Sequence, residues 1–223
     1  NGGLFSENYA LPVNEDQLQA LVDTAEMDWS QVEPAIFGTL LERALDPRER
    51  HSLGAHYTPR AYVDLLVSAT LVEPLHAEWQ EVQDLANALC AEPLATEARE
   101  KLYRRAVVLI KQFAKTSKEQ NIGRNDRDPV AVAGRVVETF HRYLAGIRVL
   151  DPACGSGNFL YVALEHLKRL EGEVLALEAR LGLAGSRIEM AKLDVDPRNF
   201  LGLEINPRAA KIAELVLSTA GML

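Results

Sequence analysis

Apolar residues recur at helical intervals through the first two thirds of the chain, and the spacing shifts to short apolar runs only near its end. Leu18, Leu21 and Val22 follow Asn14 and Gln17, a pair whose spacing suits a capped helix start. Ile36, Leu40, Leu41 and Ala44 follow Ser30 and Glu33 in the same way, to about Leu45. Asp46-Pro47 breaks that second helix, and a loop is expected up to Gly54. Thr58-Pro59 predicts the next start, with threonine as N-cap and proline at the first helical position, and with Val63, Leu66, Val67 and Leu71 as the stripe. The helical pattern then holds from Pro74 to Leu144, interrupted at Glu92-Pro93 and at the polar run Ser117 to Pro129.

After Leu144 the pattern changes. Ile147 to Leu150 is a short apolar strand, and Asn158 begins a long helix with Leu160, Leu164, Leu167, Leu170, Val174, Leu177 and Leu181 on its core side. Gly182 and Gly185 end it. Phe200 to Ile205 reads as a second buried strand, and Asn206-Pro207 opens a helix carrying Ile212, Leu215 and Val216. Strand, helix, strand, helix favours a right-handed parallel unit, with a ligand at the carboxyl ends of the strands. Three clusters, around Asp151, Glu204 and Tyr57, fall at strand ends or helix starts.

Composition narrows the class. With 223 residues and 48% hydrophobic content the chain can bury a core, and no apolar run reaches the roughly 18 residues that cross a bilayer. No membrane partner and a cytoplasmic location are the expectation. Cys90 and Cys154 lack metal-ligand spacing and are expected as free thiols, Cys154 as a small residue lining a loop. His51, His76, His141 and His166 carry no constellation with metal-ligand spacing, so no metal site is expected. The net charge of −8 argues against uniform binding to nucleic acid. One stretch is basic: Arg99, Lys101, Arg104, Arg105, Lys111, Lys115, Lys118, Arg124 and Arg127 face only Glu100, Glu119 and Asp126. It reads as a solvated helix face, with a phosphate-contacting surface as the alternative. The opening Asn1-Gly2-Gly3 without methionine and the stop just after a helical pattern suggest a piece of a longer protein.

The chemistry concentrates in Asp151-Pro152-Ala153-Cys154-Gly155-Ser156-Gly157-Asn158-Phe159, where a strand breaks into a glycine loop and then a helix. Gly155 and Gly157 permit backbone conformations closed to other residues, and the helix start points free N–H groups at the loop. A dinucleotide fingerprint would need a third glycine where Leu160 stands and an acid about 20 residues on, so that reading drops.

The nonapeptide resembles motif I of S-adenosylmethionine-dependent DNA methyltransferases that methylate amino groups. His56-Tyr57-Thr58-Pro59 resembles motif X, and Gly202-Leu203-Glu204-Ile205-Asn206-Pro207 resembles motif II. Motif X before I before II is the order of the gamma-type adenine-N6 enzymes. Asn1-Gly2-Gly3-Leu4-Phe5, Asp28-Trp29-Ser30 and Glu33 to Leu40 are similar to the segment ahead of motif X in single-chain type IIG/IIL restriction-modification enzymes.

The resemblance implies an α/β fold: part of a class I S-adenosylmethionine-dependent methyltransferase with a Rossmann-like parallel sheet, preceded by a helical region. Residues 1–52 would be a helical connector, 53–146 a helical region with motif X and a basic insertion, and 147–223 the first part of the methyltransferase domain. It also implies a cofactor site of His56, Tyr57, Thr58, Asp151, Pro152, Ala153, Cys154, Gly155, Gly157, Asn158, Phe159, Glu204 and Ile205. Asp151 would accept from the ammonium, Glu204 from both ribose hydroxyls, and Ile205 would pack on adenine. The partner would be duplex DNA, through the complete enzyme.

The family's catalytic motif IV, an Asn-Pro-Pro-aromatic run, does not occur, since every proline stands singly. No catalytic residue is therefore assigned, and the chain alone is expected to be inactive. A non-catalytic cofactor-binding or interaction fragment is the alternative. Two parallel strands make a narrow sheet, so self-association through its exposed edge is expected.

Overall fold

The computed structural model describes residues 12–28, 36, 58–91, 95–116, 128–183 and 194–220. The helix expected from Ser30 to Leu45, apart from Ile36, lies outside them, as do His56, Tyr57 and Gly185. Helix α1 (Glu15–Ala25) begins with the reciprocal cap that Asn14 and Gln17 predict: Gln17 N–H donates to Asn14 Oδ1 at 2.8 Å, and Asn14 N–H to Gln17 Oε1 at 3.0 Å. Its apolar face is exposed and none of its residues is buried.

Helix α2 (Arg60–Val67) starts one position later than expected. Pro59 holds an extended ψ of 139° at the N-cap, and its carbonyl accepts from Tyr62 and Val63. No side chain caps the helix, so Thr58 is relieved of that task. Val63 and Val67 are buried, whereas Leu66 joins Tyr62 and Leu65 on the exposed side. The stripe is re-phased by a π turn (Ser68–Val72) that leads straight into α3 (Glu73–Cys90).

Helices α4 (Thr96–Phe113) and α5 (Pro129–Ala145) pack with α3 around the largest buried side chains. Trp79 of α3 stacks on Phe140 of α5 with centroids 5.2 Å apart, and Phe113 of α4 meets Phe140 edge-on at 5.2 Å. Helix α3 ends at Cys90, α4 at Phe113, and α5 begins at Pro129 with Asp128 as its cap, ends that accord with the interruptions the sequence predicts. On the basic stretch Arg104 pairs with Glu100 and Arg105 with Glu81, which favours the solvated-face reading for the described part.

Strand β1 (Val149–Asp151) leads through the glycine loop to α6 (Asn158–Arg180). A 3-10 turn (Pro197–Asn199) enters β2 (Phe200–Gly202), and α7 (Pro207–Ala220) closes the described chain. The strands pair in parallel, Val149 with Phe200, Leu150 with Leu201 and Asp151 with Gly202. Both are shorter than the apolar runs suggest. Ile147 is drawn back by its N–H bond to the Leu144 carbonyl at the end of α5, so β1 begins two positions later. Beyond Gly202 the chain turns to bring Glu204 over the loop. The α6 stripe is core from Leu160 to Leu177, and Gly182 ends the helix with φ +75°. Among the described residues the fold is mostly helical with this one two-stranded sheet, and no described helix is long and apolar enough to cross a membrane.

Candidate cofactor-binding site

The loop after β1 is shaped by two left-handed glycines. Gly157 (φ +87°) lies so close to α7 that a Cβ there would stand 3.0 Å from Ala213 Cβ, while a Cβ on Gly155 (φ +54°) would meet open space. The loop is therefore pressed against α7 on one side and open on the other. Gly202 of β2 also requires its missing side chain, since a Cβ would come within 2.5 Å of Cys154 Sγ. Cys154 is buried, and burial, followed by the charges of Asp151 and Glu204, pushes its thiol pKa up. It stays a protonated lining group rather than a nucleophile.

Two acids from the two strand ends are fastened to this loop. Asp151 Oδ1 accepts from Ala153 N–H at 3.0 Å, and Oδ2 has no hydrogen-bond partner among the described residues. Glu204 Oε2 accepts from Gly155 N–H at 2.9 Å and Oε1 from Asn206 N–H at 2.7 Å. Glu204 thus joins the turn after β2 to the loop after β1 across 49 positions of sequence. The N–H of Leu203 bonds to the Asp151 carbonyl at 2.9 Å and that of Cys154 to the Leu203 carbonyl at 3.0 Å, which fixes the two ends side by side.

The structure places the other expected residues unequally. Pro152 and Ala153 are exposed at the rim, Phe159 is half-buried and packs on the core, and Ile205 is 97% exposed. Asn158 opens α6, and its Oδ1 is buried with no hydrogen-bond partner among the described residues. Thr58 is half-buried just ahead of α2. That helix is held to α6 by Arg60, whose guanidinium meets Glu165 at 2.7 Å and Asp64 at 3.4 Å and lies 6.0 Å from the Tyr161 ring centroid. The start of α2 and the first turns of α6 are thereby packed together.

A second constellation escapes the motif reading. His141 of α5, fully buried, points Nδ1 at Glu178 Oε1 (3.1 Å) and has Nε2 at 3.6 Å from Glu171 Oε1, an ion-pair rather than hydrogen-bond distance. Both acids come from α6, and Lys168 Nζ reaches Glu171 Oε2 at 3.1 Å. The two carboxylates flank the imidazole on opposite nitrogens, so they bracket the ring rather than converge with it as metal ligands would. Burial alone would lower the imidazole pKa, but the two carboxylates outweigh it and raise it to about 9. Burial likewise works to raise the Glu171 pKa, yet His141, the Val195 N–H and Lys168 bring it below the ordinary carboxylate value. The sequence carries one signal for this cluster: Glu171 and Glu178 stand seven apart within the apolar stripe of α6, where unpaired charge is not tolerated.

Comparison with known proteins agrees with the DNA-methyltransferase and restriction-modification part of the motif reading. Residues 120–222 match the family described as MmeI, DNA-methyltransferase domain. Over 97% of its length the chain is 23% identical to DNA methyltransferase A of Bacillus subtilis (strain 168), covering 19% of that protein. It is 23% identical, again over 97% of its length, to a putative type II restriction enzyme and methyltransferase of Methanocaldococcus jannaschii, covering 18% of it. The structure of the type IIL restriction-modification enzyme MmeI in complex with DNA superposes with a TM-score of 0.65 and 28% identity, over 99% of this chain and 23% of that one. The chain spans about a fifth of the length of these relatives.

Proposed function

Taking the chain as a methyltransferase region of the restriction-modification kind, we propose that it is the cofactor-binding part of a site-specific DNA methyltransferase. The complete enzyme would move a methyl group from S-adenosylmethionine to adenine N6 in duplex DNA. The bond from Gly155 N–H to Glu204 carries this reading. It sets an acid from the end of β2 against the glycine loop after β1, at the carboxyl ends of parallel strands where α/β sheets take ligands.

The residues fit the cofactor part by part. Asp151 Oδ2 is available to the ammonium group. Glu204 gives one lone pair of each oxygen to a backbone N–H and keeps capacity for two ribose hydroxyls. Ile205 offers exposed apolar surface to adenine, and Asn158 Oδ1 is a buried acceptor awaiting a donor. Gly155 and Gly157 give close backbone approach, while Thr58, with His56 and Tyr57 by resemblance, would close the methionine end. The bound cofactor supplies an activated methyl group; the chain's residues bind and orient it, and a protonated Cys154 does not compete for it.

In this reading residues 147–223 begin a wider Rossmann-like sheet, after the connector (1–52) and the motif X region (53–146). The two-stranded sheet, on which Leu150 and Leu201 sit exposed, would self-associate through its open edge. Lacking a motif IV sequence to position the acceptor base, the chain alone is inactive on DNA.

Calorimetric titration of S-adenosylmethionine into the chain and into Asp151→Ala and Glu204→Ala variants tests the site. Loss of binding in both supports it, and binding untouched by either substitution refutes it. Transfer of labelled methyl groups to duplex DNA by this chain alone would overturn the claim of inactivity.

A further inference from the structure

We propose that Glu171 is a positioning residue for the cofactor-binding acid Glu204, acting from the buried His141 cluster through the backbone at the entry to β2. Glu171 Oε1 accepts from the Val195 N–H, so one carboxylate of α6 holds the chain where it comes in toward β2. From Val195 the path to the site is short: Asp196 caps the 3-10 turn (Pro197–Asn199) by accepting from Arg198 N–H at 2.8 Å, the turn runs into β2, and Glu204 stands two residues past the strand. A second tie acts on the same segment, since Asn199 Nδ2 donates to the Ala145 carbonyl at the end of α5 at 2.8 Å.

Burial makes the first tie specific. Val195 is 2% exposed and Glu171 3% exposed, so neither group can turn to water for a partner. The carboxylate is itself held from two sides, by Lys168 Nζ at 3.1 Å and by His141 Nε2 at 3.6 Å, while His141 is held on its other nitrogen by Glu178. With the imidazole protonated, two cations face two anions and the cluster is neutral as a whole. The charged and titratable groups that face His141 are Glu171 and Glu178 of α6, with Lys168 beyond Glu171. His141, Glu171 and Glu178 are buried and Lys168 is half-buried, so the neutral cluster is anchored on its inner side. It therefore sets the height at which β2 lies beside β1, and with it the reach of Glu204 to Gly155.

This inference rests on Glu204 as a cofactor ligand, and the test separates the two claims. Glu171→Gln keeps an oxygen that accepts from Val195; Glu171→Leu keeps the bulk, removes the acceptor and leaves His141 matched with Glu178. Amide hydrogen exchange and calorimetric titration of S-adenosylmethionine are measured on the 223-residue chain and both variants. In the Leu variant the Val195 amide is expected to exchange at least about tenfold faster and cofactor affinity to fall about tenfold, as befits one lost hydrogen bond to a charged group; the Gln variant restores most of both. A folded Leu variant with unchanged exchange and affinity overturns the proposal. So does a Val195 amide that exchanges in the unaltered chain as fast as an exposed one, a result that needs no variant to fold. Absence of cofactor binding by the unaltered chain refutes the reading of Glu204 itself, whatever the exchange rates show.

Discussion

The three-helix packing of α3, α4 and α5 and the two-stranded sheet obey opposite economies of surface. In the helices Trp79, Phe140, Leu109 and Ile110 are sealed, each large ring touching another. On the sheet Leu150 is 59% and Leu201 47% exposed, although both stand in the middle of paired strands. The helical part is complete in itself, whereas the sheet has one covered face and one bare one. Stability therefore resides in the helices, and the strands serve chiefly to hold two loop ends together. A parallel sheet is ordinarily covered on both sides, so among the described residues this face is the part of the fold that lacks a partner.

Four substitutions or conditions would break or sharpen that contrast. Phe140→Ala removes the ring shared by Trp79 and Phe113 and is expected to cost about 3–5 kcal/mol in urea unfolding, enough to collapse the helical core. Next comes pH. The imidazole of His141 has a folded pKa of about 9 against an ordinary 6.5, so its contribution is fully present below pH 6.5 and is lost as pH rises through 9. That shift corresponds to something on the order of 3 kcal/mol, and unfolding curves taken at steps across this window should fall accordingly, with the fall abolished in His141→Phe/Glu178→Leu. Glu171 contributes with the opposite sign: its lowered pKa gives stability above the ordinary carboxylate value that is lost in acid.

Smaller effects are expected at the loop. Gly157→Ala places a Cβ 3.0 Å from Ala213 at φ +87° and should cost about 1–2 kcal/mol by backbone strain alone, with a further loss of cofactor affinity measured by calorimetry. The smallest effect belongs to the bare sheet face, where Leu201→Ser should change stability by less than about 0.5 kcal/mol. It should also weaken self-association in sedimentation experiments. A loss as large as that from Phe140→Ala would mean that the face is already covered.

The two regions also differ in how far their sequence discloses them. The glycine loop is legible because its chemistry is local: a strand, two glycines needing positive φ and a helix start all fall within nine residues, Asp151 to Phe159. The α6 stripe is legible because seven apolar positions repeat at one period. The extent of the strands is less so, since the apolar run Ile147 to Leu150 cannot reveal that Ile147 is recruited by the end of α5. Thr58 illustrates another limit: a threonine before proline suggests a cap, but the extended Pro59 takes that place. His141 is hidden altogether, because its partners stand 30 and 37 positions away on another helix and only packing brings them together. What sequence does carry there is an anomaly, two acids in an apolar stripe. The approach of Glu204 to Gly155 lies between these cases, each end conspicuous alone and the bond between them visible only in the fold.

The pairing of Val149 with Phe200 has a consequence for the order of events during folding. Closing that sheet means bringing together strands separated by the whole of α6 and the connection after it, a loop comparable to the one that Trp79 and Phe140 close, but with only two short strands and a half-bare face to offset its cost. The helices should consolidate first and the strand pair last, so that the loop bearing Gly155 becomes competent only at the end of the process. In pulse-labelled exchange during refolding, amides of α5 should gain protection ahead of Leu203, whose N–H bonds back to Asp151. The glycine-loop site would then be the slowest part of the molecule to arrive and the readiest to open again.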